Sequence, residues 1–156
     1  MTIRLKNHEE SPMQLAIKQA ETAKERDEIP VGAVIVDSVT GRIISSRHNQ
    51  VEVGKDPTAH AEMLAIREAC GQLASSRLPA CDMYVTLEPC PMCAQAIALA
   101  RIRRLYFGAY DPKGGGVENG PRIFSQSTCH HRPEIIGGME EKICSDMLKQ
   151  FFATKR

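Results

Sequence analysis

The chain has no tryptophan, and three tyrosines with four phenylalanines hold its aromatic content to 4%. Any stacking against a planar ring therefore falls to Phe and Tyr. Long apolar runs are missing as well. None approaches the roughly 20 residues that a membrane-spanning helix requires, so no membrane partner is expected. The polar stretch Met1–Glu10 lacks the apolar core of a signal peptide, which points to a cytoplasmic protein. There is no internal repeat and no low-complexity tract, and 156 residues are expected to form one domain over 1–156. The run Gly114-Gly115-Gly116 has neither the Gly-Lys-Ser/Thr ending nor the preceding buried strand of a phosphate loop, and reads as a flexible connection.

What is present is ordinary for a globular chain, with 42% hydrophobic and 25% charged residues. The formal net charge of +1 conceals an asymmetry. Residues 1–100 carry ten Lys and Arg against thirteen Asp and Glu, whereas residues 101–156 carry ten against six. A basic second half suits a polyanion-binding face, but on charge alone two solvated faces that differ by chance are the preferred reading.

Local signals outline the elements. Ser11-Pro12 is an N-cap followed by proline at the first helical position, and Met13, Ala16, Ile17, Ala20 and Ala23 continue at helical spacing to about Arg26. Ile29 to Val36 and Arg42 to Arg47, joined by Ser38-Val39-Thr40-Gly41, predict an antiparallel hairpin. A polar loop then runs to Asp56, and Asp56-Pro57 is expected to begin a second helix ending near Cys70-Gly71. Met83 to Leu87 and Arg104 to Gly108 flank a helix from Pro91 through Ala100, so these two strands should be parallel. Pro133 to Ile136 predicts a short fifth strand. A final amphipathic helix from Glu140 to Phe152 shows Ile143, Met147, Leu148 and Phe151 as its apolar stripe. Together they describe a helix–sheet–helix sandwich with a mixed sheet.

Six cysteines in a cytosolic chain do not read as a disulfide framework. Cys70, Cys81, Cys129 and Cys144 read as small buried hydrophobes. Cys90 and Cys93, at i and i+3 around a helix start, are different: both sulfurs can turn to one side, where the positive helix end favours thiolate. His60 adds a nitrogen. One His and two Cys can hold zinc with three protein ligands and leave its fourth corner open, which is the catalytic arrangement. Zinc brings the pKa of its water to about 7, and Glu62, two residues beyond His60, is then suited to shuttle protons as general acid and base. A thioredoxin-like redox pair at Cys90 and Cys93, or a structural zinc knuckle with Glu62 as surface charge, are the rival readings. His130-His131 offers a second metal site or simply a polar loop.

His-x-Glu followed by Pro-Cys-x-x-Cys is the motif of zinc-dependent deaminases acting on nucleobases. The likeness extends further. Glu28-Ile29-Pro30-Val31-Gly32-Ala33, His48-Asn49-Gln50, Asp56 to Glu62, Tyr84 to Cys90, Arg101-Ile102 and Phe107 to Lys113 resemble the bacterial tRNA-specific adenosine deaminases of the cytidine/deoxycytidylate deaminase superfamily. The resemblance covers Glu28 to Lys113 well, and the Phe151-Phe152 tail is similar too. It implies a three-layer α/β/α cytidine-deaminase-like fold with a central five-stranded mixed sheet. It further implies a homodimer that converts adenosine to inosine at the wobble position of tRNA anticodons. By resemblance, His60, Cys90 and Cys93 hold one zinc per subunit, Glu62 shuttles protons, Asn49 binds the flipped base, and Asp111 and Lys113 touch neighbouring nucleotides. Arg101, Arg103, Arg104, Lys113, Lys149, Lys155 and Arg156 are candidates for phosphate contact. A deaminase of a free base, guanine or cytosine, and a non-enzymatic zinc-stabilised RNA-binding module are the alternatives.

Overall fold

A computed structural model describes residues 10–155; most of the polar N-terminal stretch, and Arg156, lie outside the described residues. Helix α1 spans Pro12–Glu25 and opens on a full capping box, in which Ser11 and Gln14 satisfy each other's backbone amides. Strands β1 (Gly32–Asp37) and β2 (Ile43–His48) form the antiparallel hairpin. The Asp37 carboxylate holds its turn by accepting from the amides of Val39 and Thr40.

Between β2 and the next long helix the structure departs from expectation. The loop contains a short helix, α2 (Val51–Gly54), and Asp56-Pro57 does not start a helix. The Asp56 side chain instead accepts from the amide and hydroxyl of Thr58, closing a turn of its own. Helix α3 begins only at Ala61 and runs to Leu73.

Strand β3 (Cys81–Leu87), helix α4 (Pro91–Leu99) and strand β4 (Arg104–Ala109) make the parallel crossover, and β5 (Glu134–Ile136) adds parallel to β4. The sheet order is β2-β1-β3-β4-β5. Helix α5 (Glu141–Ala153) closes the described chain.

Strand alternation divides the apolar side chains between two layers. Ala33, Ile35, Met83, Val85, Leu105 and Phe107 face α3 and α4, which meet them with Ala61, Ala65, Ala69, Ala94 and Ile97. Val34 and Val36 point the other way, toward Met13 and Ala16 of α1. Small residues let helix and sheet approach closely: a Cβ on Gly32 would lie 1.9 Å from the Ala16 carbonyl. Helix α5 joins α1 on that second face with Met147 and Phe151 of the expected stripe buried and Leu148 partly so. Ile143 is half exposed, and Cys144, Met147 and Phe151 are the buried side. Cys81 and Cys144 are buried as expected, while Cys70 and Cys129 are only partly so.

Candidate active site

The site forms where strand ends of opposite sense meet. β3 finishes at Leu87 beside the end of β4 at Ala109, and β1, running antiparallel, starts next to them. The carboxyl ends of parallel strands are where α/β sheets open a crevice.

Two helix starts converge there. His60 is the N-cap residue of α3, and Cys90 is the N-cap residue of α4 with Pro91 behind it; both are extended, and neither side chain caps its own helix. Cys93 lies within the first turn of α4 and is fully buried. His60 Nδ1 stands 3.6 Å from Cys90 Sγ and 3.5 Å from Cys93 Sγ. Zinc bonds of about 2.0–2.1 Å to nitrogen and 2.3 Å to sulfur in a tetrahedron put N and S about 3.6 Å apart, so this cage fits the ion. Among the described residues, His60, Cys90 and Cys93 are the only such group of three or more potential ligands. His131 is not part of a second one; its ring meets the Ile102 carbonyl at 2.7 Å.

The protonation states suit a cation. The hydrogen bond from the Cys93 thiol, aided by His60, holds Cys90 down at about 4. The same bond, with burial, pushes Cys93 up. His60 is raised by its hydrogen bond to Cys90, against the effect of burial. The pair thus shares one proton that an arriving metal displaces. Glu62, in the first turn of α3, is 4% exposed, and burial lifts its carboxyl to about 6. A carboxyl raised toward neutrality beside a three-ligand cage, lining the same cleft, is mostly ionised at neutral pH and can accept a proton and return it.

A histidine that faces a metal cannot also cap its helix. Asn49 does it from outside: buried, it accepts the Ala61 amide on Oδ1 at 2.7 Å. This leaves Nδ2 as the group Asn49 can offer to a ligand in the cleft that it lines. Asp111 and Lys113 line the same cleft. The Asp111 Oδ1 accepts from the amides of Lys113 and Gly114, so that oxygen shapes its own turn. Several basic candidates are already engaged. Arg103 forms a two-point ion pair with Asp82, Arg104 pairs with Glu134, and Lys155 pairs with Asp27. Lys113 and Lys149 remain on the cleft wall.

Sequence reasoning missed two acids. Glu28 and Glu88 are each 1% exposed. Glu28 accepts the amides of Glu52 and Val53 and so anchors α2. Glu88 accepts the amides of Asp111, Val117, Glu118 and Asn119 and the Asn119 side chain. The available signal was an acid at the end of an otherwise apolar strand, where a solvated charge is out of place. In the Gly114–Gly116 stretch, expected to be flexible, Gly115 lies against this carboxylate and Gly116 against Pro91 and Cys90. Between these walls lies a cleft of about 1960 Å³, well above the roughly 300–1,000 Å³ of a small-molecule pocket.

These features define a class, and comparison with known proteins agrees. The family model for the cytidine and deoxycytidylate deaminase zinc-binding region matches residues 6–109, and the chain belongs to that family. Within it, the chain is similar to the tRNA-specific adenosine deaminase of Agrobacterium fabrum, at 55% identity over 92% of this chain and 93% of that one. The tRNA-specific adenosine deaminase of Rickettsia typhi is 46% identical over 92% of this chain and 97% of its own. A structure solved in studies of A-to-I editing by tRNA:A34 deaminases at the wobble position of transfer RNA superimposes with a TM-score of 0.85. It is 54% identical, covering 88% of this chain and 98% of that chain.

Proposed function

We propose that the protein is a zinc-dependent hydrolase that deaminates adenosine to inosine at the wobble position of tRNA anticodons. The carrying observation is the His60–Cys90–Cys93 cage of tetrahedral size with buried Glu62 beside it. High identity to tRNA-specific adenosine deaminases along nearly the whole chain supports the substrate. The size of the cleft favours an RNA loop over a free base.

His60, Cys90 and Cys93 would hold the ion, which when bound acts as a Lewis acid and makes a water acidic near neutral pH. Glu62 takes the proton of the attacking water as its oxygen adds to the amine-bearing carbon of adenine. It delivers that proton to the ring nitrogen; the remaining hydroxyl proton of the added water then passes through Glu62 to the amine, the C–N bond breaks, ammonia leaves and the carbonyl of inosine forms. Asn49 holds the base through Nδ2 while its Oδ1 keeps the start of α3, and with it Glu62, in place. Lys113 and Lys149 meet phosphates on either side, and Asp111 shapes the turn that carries Lys113. The enzyme acts as a single domain, 1–156, in a cytoplasmic homodimer. Among the described residues, no helix is long and apolar enough to cross a membrane.

The test is incubation with an anticodon stem-loop carrying adenosine at the wobble position, followed by sequencing of that nucleotide and assay of ammonia. Inosine at that position is expected. Activity on free guanine or cytosine with none on the stem-loop would replace this reading with a free-base deaminase. Zinc without either activity would leave an RNA-binding module.

A further inference from the structure

Glu88 is the most heavily hydrogen-bonded side chain among the described residues; it lines the cleft, yet none of its hydrogen bonds goes to His60, Glu62, Cys90 or Cys93. Its two oxygens receive five donors: Oε1 from the Asp111 amide at 3.1 Å and Asn119 Nδ2 at 2.7 Å, and Oε2 from the amides of Val117, Glu118 and Asn119 at 3.0–3.1 Å. A carboxylate 1% exposed is costly to bury unless it is met by donors, and this many donors to one charge make a strong clamp.

What it clamps is the segment 111–119. That segment carries Asp111 and Lys113 at one end and rests on the metal-binding turn at the other. The Gly116 amide donates to the Pro89 carbonyl at 2.8 Å, and a Cβ on Gly116 would lie 2.5 Å from Pro91 N and 2.8 Å from the Cys90 carbonyl carbon. A Cβ on Gly115 would lie 2.4 Å from Glu88 Oε2. The glycines thus permit backbone to lie directly on the carboxylate and on the turn that bears Cys90.

We infer that Glu88 is a positioning residue that orders the 111–119 wall of the cleft and so sets how tightly the enzyme holds its RNA loop. This rests on the anticodon-loop reading above. Glu88 makes no proton transfer; it fixes the backbone from which the substrate-facing groups project.

Glu88→Gln keeps the size of the side chain but presents an amide N–H₂ to backbone donors. Gly115→Ala drives the loop off the carboxylate while leaving Glu88 and every proposed metal ligand unchanged, and it decides the matter should Glu88→Gln fail to fold. With the zinc-loaded full chain, both variants are expected to retain zinc and to raise KM for the stem-loop about tenfold to a hundredfold, the scale of a small misplacement of binding groups. The loss in kcat/KM should come mainly through KM. Amide hydrogen exchange should accelerate in 111–119 and not in β3 or α4. Unchanged KM in the variants, unchanged exchange in the loop, or a loss confined to kcat or accompanied by loss of zinc would overturn the inference. If the wild type makes no inosine, the functional reading fails, while the exchange measurement still decides whether Glu88 orders the loop.

Discussion

Replacing Glu62 with glutamine keeps the shape of the side chain and removes its ability to take a proton. A positioned acid–base group contributes about 10²–10⁴ in rate, which is about 3–5 kcal/mol at roughly 1.4 kcal/mol per decade. The structure argues for the upper part of that range. Glu62 is 4% exposed, so solvent cannot readily stand in for it, and burial sets its carboxyl at about 6, close to a neutral working pH. We expect Glu62→Gln to lower kcat by about 10³–10⁴. Two other properties should stay in place. Zinc should be retained, because His60, Cys90 and Cys93 are untouched, and the melting temperature should not fall, because a neutral amide replaces a buried acid. Single-turnover inosine formation in the stem-loop, metal analysis and thermal melting of one sample measure all three. A kcat within tenfold of wild type with zinc in place would refute the proton-shuttle role. Joint loss of zinc and activity would mean that Glu62 supports the cage rather than moving protons.

Cys93→Ala removes a fully buried ligand. It should abolish zinc binding, and a chelator that lowers the melting temperature of the wild type should leave the variant unmoved, because metal affinity is also folding free energy. Asn49→Ala strips the Ala61 amide of its partner. It should cost about 1–2 kcal/mol of stability by chemical denaturation, typical of a lost helix cap, and should weaken stem-loop binding without loss of zinc. Asp37→Ala should lower the melting temperature at neutral pH. The amides of Thr40 and then Val39 hold the Asp37 carboxyl below its ordinary 3.8. With the folded pKa depressed, its stabilising effect is present above 3.8 and lost as the pH falls through the folded value, so the gap between wild type and variant should close in acid. A gap that widens in acid would contradict this.

What could be read in the linear chain is what depends on neighbours within a few residues. The capping box at Ser11, the hairpin around Asp37, the helix start at Pro91 and the parallel crossover all follow from local turn chemistry and periodicity. So does the ligand trio, since His-x-Glu and Pro-Cys-x-x-Cys each occupy one helix start. Local evidence misled where a side chain served a different local bond, as Asp56 does in closing a turn with Thr58 instead of capping a helix. It also misled at one position of α5, where Cys144 is buried and Ile143 half exposed, while Met147 and Phe151 are buried as the pattern predicts.

Only the tertiary structure brought His60 within 3.6 Å of two sulfurs 30 and 33 residues away, and only it gave Asn49 a partner in α3. The work of Glu88 was hidden for the same reason. Its donors lie 23 to 31 residues further along, and Gly115, in a run that looks loose in sequence, lies where a Cβ would be 2.4 Å from that carboxylate. Short-range signals set many element ends, though not the start of α3. Which buried charge finds which amide depends on the packing of strands and helices, and no local periodicity records it.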